Sequence, residues 1–368
     1  MYQERLTRLI QAMKAAELDA MALNPGPSLF YLTGLSFHLM ERPVVCIITP
    51  DEKPLLILPE LERSKAETSD LDIEPISYGE DESSRTQAFK KSTTRLRLNN
   101  RRIGIEPLRL RVLELRLLET AAPKASITPG DAVLSSLRIV KDEAEMSAIR
   151  RAVTIAEHAL KATLPLIRLT MTELELASEL TLQLLRAGSQ PNMPFSPIVA
   201  SGPNSALPHA TPTERALKPG DLLILDWGAT VDGYISDITR TFAIGDIDAE
   251  LADVHQIVQQ ANATGREAIR PGVTCQDIDR AARAVIEAAG YGRYFIHRTG
   301  HGIGLECHEP PYIREGNTQS LAPGMTFTVE PGIYLHGRGG VRVEDDLIVT
   351  STGGESLSTY NREIEVIG

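Results

Sequence analysis

The strongest constraint on this chain is a stretch that it uses twice. Residues 217–228 read LKPGDLLILDWG and residues 321–332 read LAPGMTFTVEPG, so Leu217, Pro219, Gly220, Asp226 and Gly228 recur at Leu321, Pro323, Gly324, Glu330 and Gly332. In each copy a Pro-Gly turn launches an apolar, β-branched run, the pattern of a buried strand, and that strand delivers a carboxylate followed by glycine. A charge at the end of a buried strand is costly, so its placement needs a reason. Each copy then returns with another acid, Asp237 past Asp232-Gly233 and Glu344 past Gly339-Gly340.

The turn chemistry predicts the geometry. If Asp232-Gly233 is a two-residue turn, Val231 pairs with Tyr234 and Gly228 with Asp237, which sets Asp226 and Asp237 diagonally on one face. A loop with an odd number of residues centred on Gly337 sets Glu330 opposite Glu344. Four carboxylates facing one point cannot all stay ionised unless cations sit among them, so the pattern predicts a divalent metal site, with room for two ions. Two solvated hairpins carrying surface acids are the alternative, and the internal duplication argues against it.

The chain has 368 residues, long for one domain, so two are expected. Lys and Arg total 38 against 49 Asp and Glu, a formal net charge of −11, which argues against a nucleic-acid-binding surface. Cys46, Cys275 and Cys307 are widely spaced and odd in number, so neither a disulfide framework nor a zinc knuckle is expected. There is no 18-residue apolar run, and the N-terminus, MYQERLTRLIQAMKAA, is an amphipathic helix pattern. A cytoplasmic protein without a membrane partner follows as the expectation.

Residues 1–130 read as a small α/β domain, with strands at Ala20 to Leu23, Val44 to Ile48, Leu55 to Leu58 and Ile103 to Ile105, and a polar stretch over 61–100. The boundary is expected near Pro129-Gly130, leaving 131–368 as the second domain. That domain opens with a long helix through LRIVKDEAEMSAIRRAVTIAEHALKATLPLI, and a second helix runs from about Thr172 to Ala187, started by a capping pattern and stopped by Gly188. A Pro/Gly/Ser-rich segment then carries His209 just ahead of the first acidic hairpin. Helices near 249–269 and 275–289 lead to HRTGHGIGLECHEP, which holds three of the chain's eight histidines, His297, His301 and His308. Gly300, Gly302 and Gly304 exclude a helical zincin site there; a glycine-rich strand or loop close to another backbone is expected instead. Imidazoles beside a carboxylate cluster point to one metal ligand plus proton-transfer or oxyanion partners.

The order Asp226, Asp237, His301, Glu330, Glu344, in LDWGATVDGYISDITRTF, GHGIGLECHE, VEPGIY and GGVRVEDD, resembles the pita-bread metallopeptidases, which include methionine aminopeptidases, aminopeptidase P, prolidase and the metal-free creatinases. The resemblance implies a mixed α/β (α+β) fold, a creatinase-like N-terminal domain before a pita-bread domain of pseudo-twofold duplicated antiparallel hairpins. It implies that Asp226 chelates one metal, Asp237 and Glu344 bridge two, and His301 and Glu330 bind the second. Glu330 would also shuttle the proton of a bridging hydroxide. His297 and His308 would bond the scissile group, His209 would line the pocket, and Arg342 would orient a ligand carboxylate. Manganese is the metal expected, with cobalt or zinc possible.

The extra N-terminal domain sets the chain apart from simple methionine aminopeptidases, and the intact ligand set sets it apart from creatinases and inactive binding proteins. An Xaa-Pro aminopeptidase acting on small proline-containing peptides is the reading that follows, with Xaa-Pro dipeptidase (prolidase) as the alternative. Some short microbial prolidases place an arginine four residues after the histidine matching His308; here that position is Tyr312, with Arg314 nearby. The two-domain resemblance also implies a homodimer.

Overall fold

In a computed structural model, described over residues 1–367, the chain forms two compact units, Met1–Arg138 and Ile139–Gly368. The first holds one six-stranded sheet. Its strands are β1 (Ala20–Leu23), β2 (Val45–Ile48), β3 (Leu55–Pro59), β4 (Glu74–Tyr78), β5 (Arg102–Ile105) and β6 (Ser126–Pro129), in the order β4-β3-β2-β1-β5-β6. β2 runs antiparallel to both neighbours, while β3–β4, β1–β5 and β5–β6 are parallel. Helices Tyr2–Ala15, Glu82–Arg95 and Val112–Ala121 flank the sheet in sequence. The four expected strands are present. β4 and the helix Glu82–Arg95 lie within the stretch that read only as polar: EPISY buries only Ile76 and Tyr78, so its apolar signal is thin.

The second unit is built from two similar halves. In the first, the helices Glu143–Thr163 and Glu173–Arg186 begin at capping boxes made by Asp142 with Glu145 and Thr172 with Glu175. They cover the sheet β19-β11-β8-β7, formed by β7 (Ile198–Ser201), β8 (Leu222–Trp227), β11 (Ile238–Ile244) and β19 (Val366–Ile367). Ile149, Leu160, Leu176, Leu180, Leu184, Trp227 and Phe242 form the core between them, and the Trp227 indole N–H donates to the Ala156 carbonyl. Each such buried apolar side chain stabilises by about 1.5–3 kcal/mol, which offsets the cost of burying acids nearby.

Between β8 and β11 lies the short pair β9 (Thr230–Val231) and β10 (Tyr234–Ile235), closed by Asp232-Gly233 with φ of 51° and 81°. Both central residues are left-handed, as a type I′ turn requires. Val231 pairs with Tyr234 and Trp227 with Ile238, the register expected from the turn, so Asp226 and Asp237 are diagonal neighbours. Glycine is obligatory before the corner, because a Cβ on Gly228 would lie 2.0 Å from the Ser236 carbonyl oxygen.

The second half repeats the scheme with the helices Ala249–Glu267 and Cys275–Ala288 over the sheet β13-β12-β14-β17-β18. Its strands are β12 (Gly300–Gly302), β13 (Glu309–Ile313), β14 (Thr326–Val329), β17 (Asp345–Val349) and β18 (Gly354–Ser356). β15 (Gly332–Leu335) and β16 (Gly339–Arg342) form the distal pair, and Gly332 registers with Arg342 while Val329 registers with Asp345. That register centres on Gly337 and brings Glu330 level with Glu344. The halves join where Thr239 and Glu344 bridge, Glu344 N–H donating to the Thr239 carbonyl.

Candidate metal centre

The second unit holds a cavity of about 560 Å³. Its lining includes Asp226, Asp237, Glu330, Glu344, His209, His297, His301, His308 and Arg342, so every residue that the sequence nominated reaches one space. Asp237, His301 and Glu344 each offer a donor atom within 4.8 Å of the others, and all three are buried. His301 Nε2 lies 3.2 Å from Glu330 Oε1 and 3.7 Å from Asp237 Oδ2. Asp226 Oδ1 is buried without a hydrogen-bond partner.

His301 is positioned by β12, the glycine-rich strand. A Cβ on Gly300 would sit 1.9 Å from the Thr328 carbonyl oxygen, so the backbone that the glycines were expected to approach is β14. The His301 N–H donates to Thr328 Oγ1 at 3.1 Å, and that hydroxyl donates in turn to Glu330 at 3.2 Å. Arg342 is 3% exposed and donates to Asp226 Oδ2 at 2.6 Å. It also reaches Thr239 Oγ1 at 3.1 Å, and that hydroxyl donates to Glu344 Oε2 at 2.5 Å. Arg342 therefore orients one acid directly and a second through a threonine.

Electrostatics divides the four acids. Burial would raise the Glu330 carboxyl, but the hydrogen bond and charge of His301, helped by His297 and Arg342, hold it down to about 2. Asp237 is pushed well above the carboxylate range by burial and then by Glu344, Asp226 and Asp346. Glu344 goes the same way, through burial and then Glu330 and Asp226. Asp226 is raised as well, burial outweighing Arg342. Without a cation Asp226, Asp237 and Glu344 hold protons more tightly than a free carboxyl does, and a divalent ion would compete for the same oxygens. A donor set of carboxylates and one imidazole, with an orphaned Asp226 oxygen, fits hard or borderline divalent ions.

The imidazoles differ. His297 is poised by a relay: Arg342 donates to the Tyr334 hydroxyl at 2.9 Å, Tyr334 bonds His297 Nε2 at 2.9 Å, and His297 Nδ1 bonds the Arg298 carbonyl at 2.6 Å. Donation from Nδ1 to that carbonyl makes Nε2 the acceptor in the neutral ring, and burial favours that uncharged form by lowering the pKa. His308 lies over His301 with ring centroids 4.1 Å apart, and partial burial, His301 and Arg298 push it down to about 4. His209 is exposed at the cavity's rim.

Tyr334, Thr239, Thr328, Asp346, Cys307 and Arg298 belong to the site or its support and were not nominated by the sequence reading. Cys307 donates to Asp237 Oδ2 at 3.4 Å, and Asp346 Oδ2 accepts from the Asp237 N–H at 2.9 Å. The thiol and the extra acid were visible inside GLECHE and VEDD; the rest depend on partners distant in sequence. All three cysteines are free, and among the described residues no helix is long and apolar enough to cross a membrane.

This duplicated fold and its acidic, histidine-lined cavity define a metallopeptidase-type centre. Residues 147–351 match the model of metallopeptidase family M24, and residues 5–140 match the creatinase/prolidase N-terminal domain, so the chain belongs to the M24 family. It is 32% identical over 363 residues to the putative dipeptidase YkvY of Bacillus subtilis, covering 99% of each chain. A crystal structure of a prolidase from Thermococcus sibiricus superposes with a TM-score of 0.95 at 32% identity, covering 100% of this chain and 99% of that one. An X-Pro aminopeptidase from Thermotoga maritima superposes at 0.87 with 33% identity, covering 98% and 99%.

Proposed function

We propose that this chain is a dinuclear metal-dependent exopeptidase that hydrolyses the bond between an N-terminal residue and proline in small peptides. The observation that carries the reading is the buried trio Asp237, His301 and Glu344, whose donor atoms converge within 4.8 Å beside an unpartnered Asp226 oxygen. Asp226, Asp237, His301, Glu330 and Glu344 would hold two divalent ions, manganese first and cobalt or zinc as alternatives. When bound, such ions supply Lewis acidity and make water a nucleophile near neutral pH.

The protein's own groups do the remaining work. Glu330, ionised and bonded to His301, accepts a proton from the attacking water and passes it to the leaving amine. His308, kept uncharged above His301, is placed to bond the scissile peptide's carbonyl oxygen or nitrogen side, and His297 would join it by exchanging its Tyr334 bond for one to the peptide. His209 at the rim borders the space for the second residue. Arg342 holds Asp226 in place and, through Thr239, Glu344. Proline suits the second position because its ring carries no amide proton whose lost partner would penalise binding.

The extra N-terminal domain and the intact ligand set favour an Xaa-Pro aminopeptidase, with Xaa-Pro dipeptidase as the alternative. The names borne by YkvY and the Thermococcus protein favour the dipeptidase reading, while the Thermotoga enzyme favours the aminopeptidase. A cytoplasmic homodimer belongs to the same proposal. The test is hydrolysis of Xaa-Pro and Xaa-Pro-Yaa peptides by manganese-loaded protein beside a chelated control. Cleavage lost on chelation is expected; cleavage that survives complete metal removal, or none of either peptide, would overturn the proposal.

A further inference from the structure

Two arginines line the cavity, and they are used differently. Arg342 is saturated by Asp226, Tyr334, Thr239 and the Pro208 carbonyl. The Arg298 guanidinium has no hydrogen bond or ion pair among the described residues; it lies over the face of Tyr312, 4.6 Å from the ring centroid. Its backbone is held firmly. The Arg298 carbonyl takes the His297 Nδ1 bond, Arg283 donates to the preceding His297 carbonyl at 2.8 Å, and the following Thr299 N–H donates to Asp279 at 3.1 Å. Arg283 and Asp279 pair with each other, so both fixings trace to the helix Cys275–Ala288.

An unpaired guanidinium facing a cavity with four acids on its wall is a conspicuous choice, because Arg is the side chain best suited to a planar, bidentate anion. The ring beneath it fixes the plane of the fork without consuming its donors. Tyr312 registers directly across from His301 in the β12–β13 ladder, so the stacked cation stands one strand from the converging donors. A dipeptide's free carboxylate lies one residue beyond its scissile bond, a span of about 3.6 Å. The other nearby cation that the sequence offered, Arg314, is exposed, donates to the Glu315 carbonyl and does not line the cavity.

We infer that Arg298, shelved on Tyr312, is the anchor for the C-terminal carboxylate of the substrate, which makes this chain a dipeptidase rather than an enzyme of longer peptides. The inference rests on the Xaa-Pro reading above. Tyr312 thus supplies the shelf at the position where a cation was sought, and the cation arrives from the segment that precedes β12.

The test compares Ala-Pro, Ala-Pro amide and Ala-Pro-Ala as substrates of manganese-loaded wild type and Arg298→Ala, with metal content and melting temperature measured on both. Loss of a charge-assisted bond raises KM for Ala-Pro by about 10- to 100-fold more than it raises KM for the amide, erasing the wild-type preference for the free acid. Arg298→Lys, which keeps the charge and loses the fork, falls between. If Arg298→Ala does not fold, Arg298→Gln carries the same comparison. Equal losses on acid and amide, unchanged kinetics, or a wild type that prefers the amide or tripeptide would overturn the anchor alone. A wild type inactive on all three would overturn the exopeptidase reading and the anchor with it.

Discussion

Glu344 and Asp345 are adjacent in the chain and equally buried, yet they face opposite surroundings. Strand alternation turns Glu344 to the cavity and Asp345 to the layer behind it. Asp345 meets Arg240 at 2.9 Å, Arg362 at 2.7 Å and Arg266 at 3.5 Å, and accepts from Ser358 at 2.7 Å. Burial would raise its carboxyl, but Arg240 and Arg362 hold it down to about 2. Glu344 has burial and two acids acting in one direction, with Arg342 only partly opposing them. The chain thus supplies the counter-charge for one acid itself and leaves its neighbour to be completed from outside. Compensated burial is architecture; uncompensated burial beside open space is a binding site.

The sharpest way to break that contrast is to remove the cavity acids. Asp237→Ala or Glu344→Ala is expected to lower the bound metal measured by elemental analysis and to cut Xaa-Pro hydrolysis by at least about a thousandfold. Melting of the metal-free protein should hold or rise, since a buried carboxyl that must either keep its proton or carry an uncompensated charge has gone. Intact metal content and activity in either variant would sink the ligand assignment.

Asp345→Asn tests the other side. It keeps the shape but strands Arg240 and Arg362 in the interior, so stability should fall by about 3–5 kcal/mol in urea unfolding. A loss below about 1 kcal/mol would mean that the arginines find water or other acceptors, and the distinction between the two acids would not hold.

The sequence showed the cavity side better than the layer behind it, for a physical reason. The register of each hairpin follows from local turn chemistry, so Asp226, Asp237, Glu330 and Glu344 could be aligned from Asp232-Gly233 and Gly337. Arg240 bonds Asp345 across 105 positions, and Tyr334 meets His297 across 37, so neither pairing leaves a local trace. The run VEDD yielded Glu344 and concealed that Asp345 turns away and Asp346 returns beneath Asp237. The first unit shows the same limit: its apolar strands were legible, and β4, with alternate residues half exposed, was not. The cation sought at Tyr312 was missed because stacking on that ring joins β13 to the segment ahead of β12.

The smallest effect expected is the pH dependence of the metal-free protein, and its sign separates the two acids. Asp345 has a depressed folded pKa, so its contribution to stability is complete above the ordinary carboxylate range and fades only as pH falls through about 2. Asp237 and Glu344 have raised folded pKa values, so their contribution is complete below that range and is lost as pH rises through the folded values. Between pH 5 and 8, taken as about the range where most domains are most stable, Asp345 is silent and the cavity pair is not. The melting temperature of metal-free protein should therefore decline with pH across that window, while Asp237→Asn flattens the decline and saturating manganese reverses it. Metal binding competes with protons for the same oxygens, so manganese affinity should rise as the metal-free protein loses stability. A flat metal-free profile would show that the cavity finds its counter-charge within the fold, and the contrast between Glu344 and Asp345 would then reduce to geometry.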